Sequence, residues 1–192
     1  MKTLLIIVFT ISTLVLSGSH EQHTYSSTTG FISFFAKAPI ANVDAHNKKV
    51  KVEFNTSDGE VTFDMAMKDF EFKNKKMGRD AEKKYLETEK YPKASFKGKI
   101  EGKVKYDKSG SYPVTAKGKL KIHGVEKNVS EKGTVVVSDN GGIKLQSEFN
   151  VMLADYKIET PKILGQEMTA DKILVKIEVK LMKDSKVIAS KK

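Results

Sequence analysis

The stretch that decides the fold is residues 91–125, which read YPKASFKGKIEGKVKYDKSGSYPVTAKGKLKIHGV. Successive side chains leave a β-strand on opposite faces, so an alternating pattern separates an apolar face from a charged one. The apolar face holds Phe96, Gly98, Ile100, Gly102, Val104 and Tyr106 from the first half, and Val114, Ala116, Gly118, Leu120 and Ile122 from the second. Between the two halves, Asp107–Gly110 provides residues typical of turns. The stretch predicts an antiparallel hairpin with one apolar face.

The same period of two recurs along the chain and predicts an all-β protein. Further strands are predicted at Phe31–Ala38, Lys49–Asn55, Glu60–Lys68, Thr134–Val137, Ile143–Leu153 and Ile173–Leu181. A helix is predicted over Met77–Lys90, with Asp80 as its N-cap. Many short antiparallel strands indicate a sandwich or a barrel. Because the charged faces must meet water, a barrel would have an apolar interior, which is the opposite of a transmembrane barrel.

The N-terminus predicts export. An apolar run from Leu4 to Leu16 ends in Ser17-Gly18-Ser19, a pattern typical of a cleaved secretory signal peptide. We therefore expect a signal peptide over residues 1–19, a single domain over residues 20–192, and a periplasmic or secreted protein. An uncleaved anchor is the alternative for the apolar run. The chain has no cysteine, so it forms no disulfide.

The charge of the chain is strongly positive, with a formal net charge of +10. Arg79 is the sole arginine, and the lysines are spread over the polar faces of successive strands. Proteins that read nucleic acids favour arginine and a concentrated basic stripe, so we expect no nucleic-acid partner. A lysine-rich solvated surface explains the charge and permits weak attraction to anionic membranes.

Small residues on the apolar faces leave two interpretations open. Gly98, Gly102 and Gly118 could leave space inside a barrel for a ligand, or they could relieve crowding where strands bend. Aromatic side chains and methionines would line such a space, although core packing also explains them. The candidate ligand-binding residues are Phe54, Phe63, Met65, Met67, Phe96, Gly98, Ile100, Gly118, Leu120, Ile122, His123, Phe149, Val151 and Leu153.

Motifs for catalysis or metal binding do not occur in the sequence. His20 and His23 fall in the predicted flexible N-terminus, and His46 falls in a predicted loop over residues 42–48. No HExxH pair, GxSxG motif or phosphate-binding glycine loop is present, so we expect no metal, no cofactor and no enzyme. An enzyme of lipid or quinone metabolism would have to use His123, Asp155 or Tyr156.

The order of the motifs resembles the YceI-like family of secreted bacterial proteins. The matching segments are ISFFAKAPI (Ile32–Ile40), GEVTFDMAMKDFEF (Gly59–Phe72), YLETEKYPKASFKGKIEG (Tyr85–Gly102), GKLKIHGVEKNV (Gly118–Val129) and FNVMLADYKI (Phe149–Ile158). The resemblance implies an elongated, lipocalin-like antiparallel barrel that a short helix closes at one end. Many relatives carry a histidine near the start of the helical segment, whereas this chain has Arg79–Lys83 there.

The resemblance also implies a function. It indicates a non-enzymatic protein whose apolar channel binds a polyisoprenoid or a similar amphiphilic lipid. Two other classes stay open at this stage: a fully packed structural or stress-related interaction module without a ligand, and the enzyme named above. The sequence leaves the ligand's identity and homodimer formation open as well.

Overall fold

The computed structural model describes residues 23–37, 42–159, 162–163, 166–167 and 171–184. The predicted signal peptide and His20 lie outside the described residues. The strands are β1 (Thr24–Ala36), β2 (Val43–Asn55), β3 (Glu60–Ala66), β4 (Glu71–Phe72), β5 (Lys93–Glu101), β6 (Gly110–Ile122), β7 (Val125–Val137), β8 (Ile143–Met152), β9 (Lys162–Ile163), β10 (Gln166–Glu167) and β11 (Lys172–Lys183). Helix α1 (Lys75–Asp80) runs into a π-helical turn (Ala81–Tyr85), and 3₁₀ turns cover Met67–Asp69 and Ala154–Tyr156.

Eight antiparallel strands close into a barrel in the order β1-β11-β8-β7-β6-β5-β3-β2, and β2 pairs again with β1. The short strand β4 joins the sheet by pairing antiparallel with β2. We call the end that carries the β6–β7 turn and the helical segment the capped end. The end that carries the β2–β3, β5–β6 and β7–β8 turns is the floor end. The predicted all-β barrel with one short helix is confirmed.

The two faces of the opening hairpin are arranged as predicted. Phe96 lies opposite Leu120 on the interior face, while Lys97 lies opposite Lys119 on the exterior face. Like charges directly opposite one another repel, and exterior carboxylates offset this. Glu126 lies 2.9 Å from the Lys119 ammonium, and Glu101 makes a similar contact with Lys117. The lysine face is therefore a solvated outer surface.

The floor end is filled by a tightly packed core. Phe54, Val50 and Val135 are fully buried there. The ring of Tyr106 closes this core from below, with its centroid 6.2 Å from that of Phe54. Burial, with Tyr25 nearby, raises the pKa of Tyr106 to about 12. A ligand space can therefore lie only nearer the capped end.

Titration of Tyr106 tests this floor. Because its folded pKa lies above the usual tyrosine value of about 10, the unfolded chain ionises first. The stability contribution of Tyr106 is complete below about pH 10 and is lost as the pH rises towards 12. We expect ultraviolet absorbance to show a late tyrosinate step that is missing in Tyr106→Phe. An unchanged curve in that variant would contradict a buried phenol.

The helical segment covers the capped end. Asn74 is the N-cap, since its side-chain oxygen accepts hydrogen bonds from the backbone N–H groups of Lys76 and Met77. The prediction of Asp80 as N-cap is wrong, because Asp80 already has helical geometry and pairs with Lys84. The helical structure ends at Tyr85 and not at Lys90. A left-handed Glu87 then turns the chain towards β5.

Several strands differ in extent from the prediction, among them β1, β5 and β7. Strand β1 begins at Thr24, and the His23 carbonyl oxygen accepts a hydrogen bond from the Thr56 N–H, so His23 is not a free end. Strand β5 ends at Glu101, five residues before Tyr106. Strand β7 begins at Val125, nine residues before the predicted start. In β7 the polar residues Lys127 and Glu131 occupy positions where alternation calls for apolar ones.

The predicted loop over residues 42–48 is the first half of β2, so His46 lies in a strand. Its ring stacks on Phe31 and its Nε2 lies 3.5 Å from the Glu71 carboxylate. The alternation that predicts strands is broken here, because the fully buried Asn47 places a polar residue at an interior position. Its amide donates to the Ala66 carbonyl oxygen, and its Oδ1 accepts from the Lys49 N–H. These bonds satisfy the buried amide at an irregularity in the β1–β2 register.

Candidate functional site

An apolar cavity of about 230 Å³ lies inside the barrel between the floor core and the helical cap. Seven of the eight barrel strands each contribute several residues to the walls of the cavity. The eighth strand, β2, contributes Val43 alone. From the cap, Ala81, Tyr85 and Leu86 reach the cavity. Strand alternation and the cap together therefore enclose a nearly continuous apolar surface.

Ten of the fourteen sequence-predicted residues line this cavity. They are Phe63, Met65, Met67, Phe96, Ile100, Leu120, Ile122, Phe149, Val151 and Leu153. Phe63 and Phe96 meet edge to face across β3 and β5, with ring centroids 6.3 Å apart. Their position on the wall agrees with the predicted interior face, and their role in ligand binding stays a prediction.

Phe54, Gly98, Gly118 and His123 do not line the cavity. Phe54 is too close to the floor, where it is fully buried in the packed core. His123 lies in the turn between β6 and β7, beyond the end of the interior row. The predicted placement of these four residues against a ligand therefore lacks support in the geometry.

The two glycines occupy a site of close backbone approach. Gly98 and Gly118 are cross-strand partners in β5 and β6. A methyl group on Gly98 would overlap the Lys117 carbonyl oxygen and lie 2.7 Å from Gly118 Cα, and one on Gly118 would overlap the Lys97 carbonyl oxygen. Of the two interpretations, relief of crowding fits this pair. Ala116, two residues before Gly118 on the same face of β6, does line the cavity.

His123 joins three elements at the capped end. It adopts a left-handed conformation, followed by left-handed Gly124, which together turn β6 into β7. Its Nδ1 lies 3.1 Å from the Tyr156 carbonyl oxygen, and its Nε2 lies 2.9 Å from the Glu87 carboxylate. Its ring also packs on Tyr91, with centroids 4.2 Å apart. His123 therefore fastens the cap to the barrel wall.

Sequence reasoning missed several wall residues. Those from β1, the cap and β11 are Ile32, Phe34, Ala36, Ala81, Tyr85, Leu86, Ile173, Val175 and Ile177. The alternation of β11 and the four-residue spacing of Ala81 and Tyr85 were visible signals for part of this set. The contribution of the cap depends on where the helical segment folds over the barrel, and no local pattern specifies that.

Polar groups meet the cavity mainly along one line, between β7 and β8. Glu131, Thr134, Gln146 and Ser147 all contribute to the wall there. The ladder between the two strands runs from Val137 opposite Ile143 to Gly133 opposite Ser147. Within the described residues, β7 continues towards the capped end paired with β6 alone, and β8 continues paired with β11 alone. Residues 125–132 of β7 and 148–152 of β8 are therefore not paired with one another, and we call these two segments the β7–β8 seam.

The residues considered for catalysis are not among those that line the cavity. Asp155 pairs with the Lys127 ammonium at 2.6 Å, and His123 is held as described above. Burial raises the pKa of Tyr156, and Asp155 and Glu131 add to this effect. Among the described residues, no group of three or more histidine, aspartate or glutamate side chains is placed to hold a metal ion. Nor does that part of the chain contain a helix long and apolar enough to cross a membrane.

Solved structures with the same fold come from several bacteria. A polyisoprenoid binding domain from Saccharophagus degradans, implicated in plant cell wall breakdown, superposes with a TM-score of 0.69 at 13% identity, over 84% of this chain and 98% of that domain. BcnA from Burkholderia cenocepacia gives 0.64 at 19% identity, over 80% and 96%. The YCEI protein of Campylobacter jejuni gives 0.53 at 17% identity, over 97% and 100%. At these identities the likeness shows the fold alone.

Comparison at the level of sequence gives the family. None of the curated proteins matches the chain. The family model of the YceI-like domain matches residues 13–181, which is most of the sequence and includes every strand of the barrel except the last residues of β11. The chain therefore belongs to the YceI-like family.

Proposed function

We propose that this protein is a non-enzymatic carrier that holds the apolar chain of an isoprenoid or another long-chain amphiphile inside its barrel. The observation that carries the proposal is the apolar cavity of about 230 Å³ inside the barrel. Apolar surface removed from water contributes roughly 25 cal/mol per Å², so a chain can bind there with few polar contacts. The polyisoprenoid binding of the Saccharophagus degradans domain supports this class of ligand.

The size of the cavity favours a slender ligand. An apolar cavity of roughly 150 Å³ already binds benzene, whereas sites for drug-sized molecules start at roughly 300 Å³. The cavity of this barrel lies between these values. A single alkyl or isoprenoid chain fits this range, while a bulky ring system does not. The flexible Met65 and Met67 in the wall can adapt to the methyl branches of such a chain.

The two competing functions have less support. A packed module without a ligand would have an interior filled to the density of ordinary protein cores, which have few voids larger than a water molecule. An enzyme would need polar groups that converge inside the cavity. Asp155 instead pairs with Lys127 on the outside, and His123 bonds to backbone and cap.

We also propose that the protein is exported from the cytoplasm. An apolar-chain carrier is useful where lipids must cross water, and residues 1–19 have the pattern of a signal peptide. The lysine exterior would keep the loaded protein soluble and permit weak contact with anionic membranes. N-terminal sequencing of protein recovered from the periplasm or medium tests this, and we expect the mature chain to begin near residue 20. Recovery of the intact N-terminus from the cytoplasm would contradict it.

Lipid extraction tests the binding function directly. We expect organic extracts of the purified protein to contain a long-chain lipid by mass spectrometry. Ala116→Trp should remove it, because Ala116 lines the cavity and the new ring would occupy the ligand's space. Lys117→Trp, one position away on the exposed face, is the matched control and should retain the lipid. A wild-type protein that yields no lipid and takes up no added isoprenoid or fatty acid would overturn the proposal.

A further inference from the structure

Glu131 is a half-buried acidic residue in the wall of an otherwise apolar cavity. It lies at the midpoint of β7, opposite Ala116 of β6, on the interior face of the barrel. No described residue forms a hydrogen bond or an ion pair with it. Burial raises the pKa of its carboxyl. Its carboxylate can therefore accept a hydrogen bond from a ligand in the cavity without giving up a partner within the described protein.

The position of Glu131 is where a ligand's polar head would lie. The β7–β8 ladder ends at Gly133, which lies two residues from Glu131 towards the floor end. Beside this last pair, the Ser147 hydroxyl donates a hydrogen bond to the Lys132 carbonyl oxygen at 2.7 Å. From there to the capped end the seam leaves the two strands without mutual hydrogen bonds. Among the described polar wall residues of β7 and β8, Glu131 alone lies within the seam, and the others lie in the adjoining ladder. A chain in the cavity would point its head towards Glu131.

Charges around the seam limit the choice of head. Lys127 is the nearest lysine on the interior row of β7, and its ammonium is already paired with Asp155. Lys132 follows Glu131 directly but points to the exposed face. A second carboxylate, Glu159, also contributes to the cavity wall. An anionic head placed at Glu131 would therefore meet negative charge without a free cation from this row.

We propose that Glu131 determines the head-group preference of the cavity: it accepts a hydrogen bond from a neutral or cationic head that carries an O–H or N–H donor, and it disfavours phosphate and carboxylate heads. This inference rests on the proposed function, since it assumes that an apolar chain occupies the cavity. It adds the class of head group, which the apolar walls leave open. In this view the ligand resembles a long-chain alcohol or amine more closely than a lipid phosphate.

Ligands with one tail and different heads test the proposal. Binding of dodecylamine, dodecanol and dodecyl phosphate is measured by calorimetry at neutral pH, below their micelle concentrations, with protein stripped of lipid. A hydrogen bond to a charged group is worth about tenfold or more in affinity, so we expect the amine and the alcohol to bind at least that much more tightly than the phosphate. Equal binding of all three, or a preference for the phosphate, would overturn the proposal.

Two variants with the same charge change separate Glu131 from the protein's overall charge. Glu131→Gln should remove most of the preference for the amine and strengthen binding of the phosphate. Glu126→Gln lies on the exposed face of the same strand, where Glu126 pairs with Lys119, and should leave the ranking unchanged. Identical rankings in both variants would show that Glu131 has no such role.

The same experiment distinguishes failure of this inference from failure of the proposed function. If none of the three compounds binds to the wild-type protein, the carrier function fails and the head-group preference falls with it. If all bind with one affinity, the carrier function stands and only the role of Glu131 is lost. The wild-type ranking needs no variant, so the inference can be refuted even if Glu131→Gln does not fold.

Discussion

Gly98→Ala is expected to destabilise the barrel by about 3 kcal/mol, the upper end of the usual cost of inserting a methyl group where packing leaves no room. The methyl group would overlap the Lys117 carbonyl oxygen and press on Gly118 Cα. Both are backbone atoms of the paired strand β6, so they cannot move aside as a flexible side chain would. The strain must instead spread the β5–β6 ladder, which forms one wall of the cavity.

Urea unfolding followed by circular dichroism measures this effect. Gly142→Ala is the matched control, because Gly142 lies in the β7–β8 turn and its added methyl group would meet only the Asn140 side chain at 3.1 Å. We expect that control to change stability by no more than about 0.5 kcal/mol, as is usual for exposed sites. A Gly98→Ala midpoint equal to that of Gly142→Ala would show that β5 and β6 are farther apart than the structure has them.

The glycine pair shows what the sequence could and could not decide. Alternation correctly placed Gly98 and Gly118 on the interior side of their strands, but it left open whether they widen a cavity or permit close packing. The answer depends on the register, which sets the two glycines directly opposite one another. Register follows from the turn and from the whole apolar face, so it cannot be derived from either strand alone.

Strand β7 shows why some elements escaped prediction. Its first half, VEKNVSEKG, has Lys127 and Glu131 at interior positions, which breaks the alternation that identified the other strands. Lys127 can occupy such a position because its ammonium extends to Asp155 at the seam. Glu131 can occupy its position because the cavity gives its carboxylate space. Alternation therefore failed to predict the strand at the positions where the barrel wall carries charged side chains, as is common at functional sites.

The helical cap was only partly predictable for a related reason. The four-residue spacing of Met77, Ala81 and Tyr85 is typical of a helix, and Ala81 and Tyr85 do line the cavity. Its start was misplaced because Asn74 and Asp80 are both good N-cap residues, and local sequence does not rank them. Packing decides between them: a methyl group on Gly78 would lie 2.9 Å from Phe72 Cβ, so this turn must lie tightly against β4.

His123→Asn is expected to loosen the cap and to cost about 2 kcal/mol of stability, because it removes a part-buried bond to a charged partner and a second bond to a backbone carbonyl. Asparagine tolerates the left-handed conformation of residue 123, so the turn between β6 and β7 survives and the loss of contacts is isolated. The shorter asparagine side chain cannot span both partners, since the two ring nitrogens of His123 reach the Glu87 carboxylate and the Tyr156 carbonyl oxygen on opposite sides of the ring.

Hydrogen exchange of the cap amides measures the opening that follows. The Leu86 N–H donates to the Ala81 carbonyl oxygen, and the Tyr91 N–H donates to that of Glu87, so both amides report on the segment that His123 holds. We expect their protection to fall by about tenfold or more, while amides of the floor end keep theirs, because a local opening does not require global unfolding. Glu87→Gln should show a smaller effect of the same kind. Glu89→Gln, an exposed neighbour in the same segment, should show none.

Since Leu86 lines the cavity, a cap that opens more often should also release bound dodecanol faster. An unchanged release rate with exposed cap amides would mean that the ligand leaves through the β7–β8 seam instead.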